Sequence, residues 1–300
     1  MRVNPNMVPD VLAGLQQTQS AVNAALQEVS TGKSVTVPSD NPAASANMVQ
    51  NTIAAKNVDQ YTQNVSSVMS MVQTSDSALS SVVSSLTKAV TLGVQGANGT
   101  TNATDKQAIA TEVQGILASV VSLANTSFQG SYLFGGTASG QVPFTADPTS
   151  ASGYKYNGNS GVNSVVVGDD LSVQANIPGN QIFSNPGNDV LGSLSSLVAA
   201  LKSGNSAAIQ SATSSISSAL NYVSQQRITY ANAETQLNSQ ETYLQQETVS
   251  LTSQANSLVG VDMAKAATAL AQAQTANSAA LAAAAKVLPT TLLNYLSPPQ

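Results

Sequence analysis

The chain has 300 residues, room for two or three compact units, yet only 8% of them are charged, against about a quarter in ordinary soluble domains. Ten basic residues face fifteen acidic ones with no basic cluster, which excludes the dense Lys/Arg patch of a nucleic-acid binder. The absence of Cys, His and Trp removes disulfides, thiolate and imidazole metal ligands, cysteine nucleophiles and the commonest general base.

The opening Met1 to Met7 lacks the apolar core of a cleavable signal peptide. No uninterrupted run of about 18 apolar residues is present, so no membrane-spanning helix is expected. Val8, Leu15, Val22 and Val29 recur every seven residues, with Val11, Thr18 and Ala25 between them. That alternation is a helix burying one seam. A second helix opens at Asn41-Pro42, where Asn41 suits the cap and Pro42 the first helical position. Its seam runs Val58, Tyr61, Val65, Val68, Val72, Ser75, Leu79, Val82, Leu86, Ala89 and Gly93, with Ser75 and Gly93 the two breaks. A heptad held this long favours packing along a partner helix over a compact core; helical from Pro42 to Val94, it would reach roughly 80 Å. Gly96 to Gly99 reads as a turn. Thr104 and Gln107 then read as a capping box, followed by a buried face of Ile109, Val113, Ile116, Val120 and Leu123 and an end near Asn125.

Residues 131–204 change character. Short alternating runs at Tyr154 and Tyr156, at Val165 and Val167, and from Leu171 to Ile177 predict half-buried strands. Pro178-Gly179 and Pro186-Gly187 predict turns, and a helix is expected over Val190 to Leu201. From Ser206 the heptad returns as Ile209, Ile216, Val223, Tyr230, Leu237, Leu244, Leu251 and Leu258. The second seam position here is polar (Gln226, Gln240, Glu247, Gln254), so the buried stripe is narrow. Val259-Gly260-Val261 interrupts it. Asp262 then caps a last helix carrying Met263, Ala267, Leu270, Leu281 and Leu288 on one face, which Pro289 is expected to break or kink.

Isolated helices are marginal in water and draw most of their stability from packing. The expected fold is therefore mainly α: a long antiparallel helical rod built from both chain ends, with a small β-rich insert at its tip. The expected partition is a terminal assembly region (1–42 with 262–300), a coiled-coil rod (43–130 with 205–261) and a β-rich outer domain (131–204). Val58, Val65, Val72, Leu79 and Leu86 are expected to pair with Leu237, Leu244, Leu251 and Leu258. Val8, Leu15, Val22, Val29, Met263, Leu270, Leu281, Leu288, Leu292, Leu293 and Leu296 are left for neighbouring subunits.

Four ordered motifs then carry a resemblance. They are Arg2-Val3-Asn4 through Met7; Ser30-Thr31-Gly32-Lys33 followed by Pro38-Ser39-Asp40-Asn41-Pro42-Ala43-Ala44; Tyr132-Leu133-Phe134-Gly135-Gly136; and Thr291-Leu292-Leu293-Asn294-Tyr295-Leu296. Over residues 1–135 and 205–296 the chain resembles the flagellin and hook-associated protein 3 superfamily. The resemblance implies a non-enzymatic subunit of the bacterial flagellum, exported through the type III channel and found outside the cell where hook meets filament. It implies partners as well: further copies of the chain itself, hook-associated protein 1, flagellin and a flagellar export chaperone. It implies no cofactor, nucleic acid or membrane. The sequence departs from the superfamily at Pro5, Pro9 and Pro289, and its centre matches nothing residue by residue.

Other motifs read more plainly. Ser30-Thr31-Gly32-Lys33 lacks the full phosphate-loop spacing and reads as a turn. Asp147, Asp169 and Asp170 fall in turns without a third carboxylate at ligand spacing. Lys88 and Lys106 lie near Ser residues, as any Lys must in so Ser-rich a chain. The triplets beginning at Asn64, Asn98 and Asn102 match the glycosylation pattern only as chance allows. The rival readings are a filament flagellin and, in another class, a secreted coiled-coil type III translocator or adhesin. An enzyme has the least support.

Overall fold

The computed structural model describes the backbone of residues 7–296 and the side chains of residues 9–286. Helix α1 (Met7–Thr31) starts two residues before Pro9; the first helical N–H groups have no intrahelical partner, so proline there costs little. Asp40 accepts from the backbone N–H groups of Thr36 and Val37, both at 3.0 Å, and these bonds hold its carboxyl below the usual carboxylate range. Next to it, Asn41 caps α2 (Pro42–Ala97) by accepting from Ala44 N–H at 3.0 Å. The cap of α3 (Ala103–Ala124) is Asn102, whose side chain accepts from Asp105 N–H at 2.8 Å. The capping box expected from Thr104 and Gln107 is therefore corrected: Asn102 reaches the free N–H first, and the helix has begun before Thr104.

The insert contains four separate antiparallel ribbons and no larger sheet among the described residues. They are β1 (Ser127–Phe128) with β2 (Ser131–Tyr132), β3 (Phe144–Ala146) with β4 (Tyr154–Tyr156), β5 (Ser164–Gly168) with β6 (Leu171–Gln174), and β7 (Ser184–Asn185) with β8 (Asn188–Asp189). Between β6 and β7, Pro178 leads into a single helical turn, α4 (Gly179–Ile182), where a simple turn was expected. Strand β6 ends earlier than its alternation suggests, because Ile177 N–H leaves the ladder and donates to the Tyr230 hydroxyl at 3.1 Å. Phe183 stacks edge-on against Phe134 and Phe144, with centroids 5.3 and 5.6 Å apart. This aromatic cluster is the insert's core.

Helix α5 (Val190–Ser203) is capped by Asp189, and α6 (Ser206–Val259) by Asn205. Asp262 accepts from Ala264 and Lys265 N–H at 3.0 and 3.2 Å and caps α7 (Met263–Leu296), as its position predicts. The break expected at Pro289 is absent: α7 continues to Leu296, since proline removes one intrahelical bond without obliging the helix to stop.

Two compact units are present, residues 1–57 with 247–300 and residues 58–246. In the second unit, α2 and α6 run antiparallel. Asp76 pairs with Arg227 through two bonds of 2.8 and 2.9 Å, Gln73 donates to Glu234 at 3.2 Å, and Gly93 lies against Thr213. Ten of the eleven α2 seam residues from Val58 to Gly93 are buried, Tyr61 being half-buried. Both breaks in the heptad have a reason. Ser75 is buried and donates its hydroxyl to Met71 O at 2.9 Å, so its polar group is satisfied within α2. Gly93 lets α6 come close, since a Cβ there would stand 2.2 Å from Thr213 Oγ1.

Ribbon β5–β6 lies against α2 and α6 at Tyr61, Asn64 and Gln240. By length and composition alone, α2 and α3 could cross a membrane, although neither holds an uninterrupted apolar run of that length. Their seam residues are mostly buried, while Val49, Ile53 and Val94 of α2 are exposed.

Candidate assembly interface

The first unit pairs the two chain ends and leaves several large apolar side chains exposed. Helices α1 and α7 pack antiparallel. Thr18 Oγ1 lies 3.1 Å from Asn277 Oδ1, and Asn277 Nδ2 donates to Gln19 Oε1 at 3.1 Å. At the other end of the pair, Ser34 N–H donates to Val259 O at 2.7 Å and Val261 N–H to Gly32 O at 3.1 Å, closing a bridge between Lys33 and Gly260. The loop after α1 and the joint before α7 are thus clasped through backbone groups, with Gly32 at a positive φ and Gly260 too close to Asn256 O for a Cβ.

Small residues fill the α1–α7 seam. Ala25, Ala266 and Ala284 are buried, while Leu15, Val22, Val29 and Leu270 are half-buried. Leu12, Leu26, Met263 and Leu281 remain 50–54% exposed. Alanine at a crossing lets helices approach closely but buries little apolar area per residue, and leaves longer side chains outside. Val8, Leu288, Leu292, Leu293 and Leu296 have side chains outside the described residues. Ala25 stands at the intermediate heptad position of α1, whereas Ala266 and Ala284 carry no bulky heptad signal. The heptad also passes over Leu12 and Leu26, fourteen positions and four turns apart on one face. A count weighted toward small residues would find Ala266 and Ala284.

Nearer the second unit, Asn51 is buried and donates to Leu251 O at 3.1 Å, tying α2 to the backbone of α6. Beside it opens a cleft of about 630 Å³ lined by Asn47, Gln50, Ala54, Gln254 and Leu258. Leu251 is buried and Leu258 half-buried. In the second unit Val58, Val65, Val72, Leu79, Leu86, Leu237 and Leu244 are all buried.

The other singled-out residues take structural places. Asp169 accepts from the Tyr61 hydroxyl at 3.0 Å, which raises the tyrosine's pKa. Asp147 accepts from Thr149 N–H and hydroxyl, and those bonds lower its pKa. Lys88 pairs with Glu112, and Lys106 donates to Gly204 O beyond the end of α5. Among the described residues, no cluster of three acidic side chains could hold a metal.

These features define a mainly helical protein whose two extremities pair antiparallel around an inserted β-rich segment. Residues 4–139 match the bacterial flagellin N-terminal helical region and residues 213–296 the bacterial flagellin C-terminal helical region. Together these matches cover more than two thirds of the chain, and it belongs to the bacterial flagellin family. It is similar to flagellar hook-associated protein 3 of Salmonella typhimurium, 32% identical over 146 residues, 48% of this chain and 46% of that protein. The matched stretch thus spans under half the length of that relative. Phase 1 flagellin of Salmonella naestved is 29% identical over 117 residues, 39% of this chain and 23% of that one. The crystal structure of Bacillus cereus FlgL superposes with a TM-score of 0.60 at 25% identity, covering 69% of this chain and 99% of that one.

Proposed function

We propose that this protein is a structural subunit of the bacterial flagellum that joins hook to filament and assembles through its terminal helices. The observation that carries this reading is the α1–α7 pair, zipped by alanines and still showing Leu12, Leu26, Met263 and Leu281 to solvent. A stripe at heptad spacing with no cover inside its own chain is an interface waiting for neighbours. The longer match to hook-associated protein 3 supports the junction over the filament.

On this reading the assembly face is the set named from the sequence, from Val8, Leu15, Val22 and Val29 to Met263, Leu270, Leu281, Leu288, Leu292, Leu293 and Leu296, widened by Leu12 and Leu26. Residues 1–42 with 262–300 form the assembly region, 43–130 with 205–261 the paired-helix body and 131–204 the outer part. The partners are further copies of the chain, hook-associated protein 1, flagellin and a flagellar export chaperone, and the protein works outside the cell at the hook–filament junction. On this reading its role is structural: Asp147 and Asp169 serve in turns, Lys88 pairs with Glu112, and Lys106 donates to Gly204 O.

Deleting the coding sequence tests this. The expected strain makes hooks, swims poorly or not at all, and sheds filament monomers into the medium; normal filaments on such cells contradict the reading. A filament flagellin is the alternative that the match to phase 1 flagellin favours. Immunogold labelling separates them: label confined to the hook tip fits the junction, label along the filament fits flagellin.

A further inference from the structure

The insert has no role assigned by the pairing of the chain ends. The β5–β6 ribbon suggests one. A register shift between Val166 and Gly168 leaves Val167 outside the ladder, so a bulge exposes a strand carbonyl that pairing would otherwise use. Val167 O accepts from Gln240 Nε2 of α6 at 2.9 Å. The preceding carbonyl, Val166 O, accepts from Asn64 Nδ2 of α2 at 2.7 Å. Two consecutive carbonyls of one strand are therefore bonded to two different helices. The next turn adds a third tie, the Tyr61 hydroxyl donating to Asp169 Oδ1. Gly168 is where the backbone comes closest: a Cβ there would stand 2.9 Å from Gln240 Nε2.

The ribbon meets the helix pair close to the end of the compact unit. On α2 the buried seam is Val58, Val65, Val68 and Val72, whereas further along it is Leu79, Val82 and Leu86. On α6 the second seam position is polar at Gln240. Valine buries less area than leucine, so α2 brings its smaller side chains to the seam toward Val58, where Leu237 and Leu244 of α6 are buried and the compact unit ends. Gln240, the polar seam residue, is also the residue that grips the ribbon.

We propose that β5–β6 is a strap that ties α2 to α6 across their groove and keeps residues 58–72 and 234–246 paired. The insert thereby works as an internal brace on the helices, whatever its outer surface meets.

Hydrogen exchange measured by mass spectrometry on the full chain tests the strap. With Asn64→Ala and Gln240→Ala combined, exchange is expected to rise at least tenfold at 58–72 and 234–246, with α3 and α5 unchanged. Gly168→Ala, which crowds Gln240, is expected to give the same local pattern and carries the test if the double variant does not fold. Gln226→Ala, a polar seam residue away from the ribbon, is expected to leave those segments as they were. Unchanged exchange at 58–72 and 234–246 overturns the proposal. So does uniform acceleration across the unit, or equal local loosening by Gln226→Ala.

Discussion

The two units use one heptad rhythm to different ends. In residues 58–246 the stripes of α2 and α6 are fully buried, Leu79 and Leu86 on one helix and Leu237 and Leu244 on the other, and the break at Gly93 is matched by Thr213. In the terminal unit the α1–α7 pair closes on alanines and keeps its leucines half or fully outside. The lesson is that periodicity reports which face of a helix pairs. How completely one chain satisfies that face depends on residue size at the crossing.

The sharpest way to break this comparison is truncation. Leu79→Ala or Leu86→Ala should cost about 2–5 kcal/mol, the range for fully buried leucines, read from urea unfolding of the monomer. Leu12→Ala or Leu281→Ala should stay within about 0.5 kcal/mol, as for surface positions, yet reduce assembly. Equal costs in the two units would erase the distinction.

Alkaline titration probes the seam next. Burial pushes the Tyr230 pKa from 10.0 up to about 12, so the folded state holds this proton more tightly than the unfolded chain. The resulting stability is fully present below pH 10 and lost as pH rises from 10 to 12, on the order of 2–3 kcal/mol in all. Tyr230→Phe should flatten that part of the pH profile, and should also cost about 1–3 kcal/mol at neutral pH by orphaning Ile177 N–H.

Gly93→Ala should cost about 1–3 kcal/mol through overpacking, and Thr213→Ala in the same chain should recover part of it. The smallest effect is expected at Asp76→Asn. Its bond with Arg227 is about one-third exposed, so less than about 1 kcal/mol is at stake, shrinking further in high salt. A larger loss would mean that the pairing rests on charge more than on its stripe.

Much of this was readable from residue order because the signals were local or periodic. Asn41-Pro42 and Asp262 cap helices where their chemistry says they should, and every α6 heptad residue from Ile209 to Leu251 is buried. The helix that opens at Asn102 was misplaced because two capping patterns overlapped, and only geometry chooses between overlapping caps. At Pro289 residue order predicts a break or a kink, because a proline's cost is known but the stability of its surroundings is not; α7 runs on to Leu296. Gly93 looked like a defect until its partner, more than a hundred residues away, was in view. The same distance hid the hold of Gln240 on Val167 and the alanine crossing of α1 with α7.

Hydrogen exchange compared between free and assembled protein tests the central claim most directly. In the free chain, residues 1–40 and 262–300 should exchange rapidly while α2 and α6 between 72 and 237 stay protected, and assembly should slow the terminal segments. Strong protection of both termini in the free chain, unchanged on assembly, would show that the chain covers its own edges and needs no neighbour.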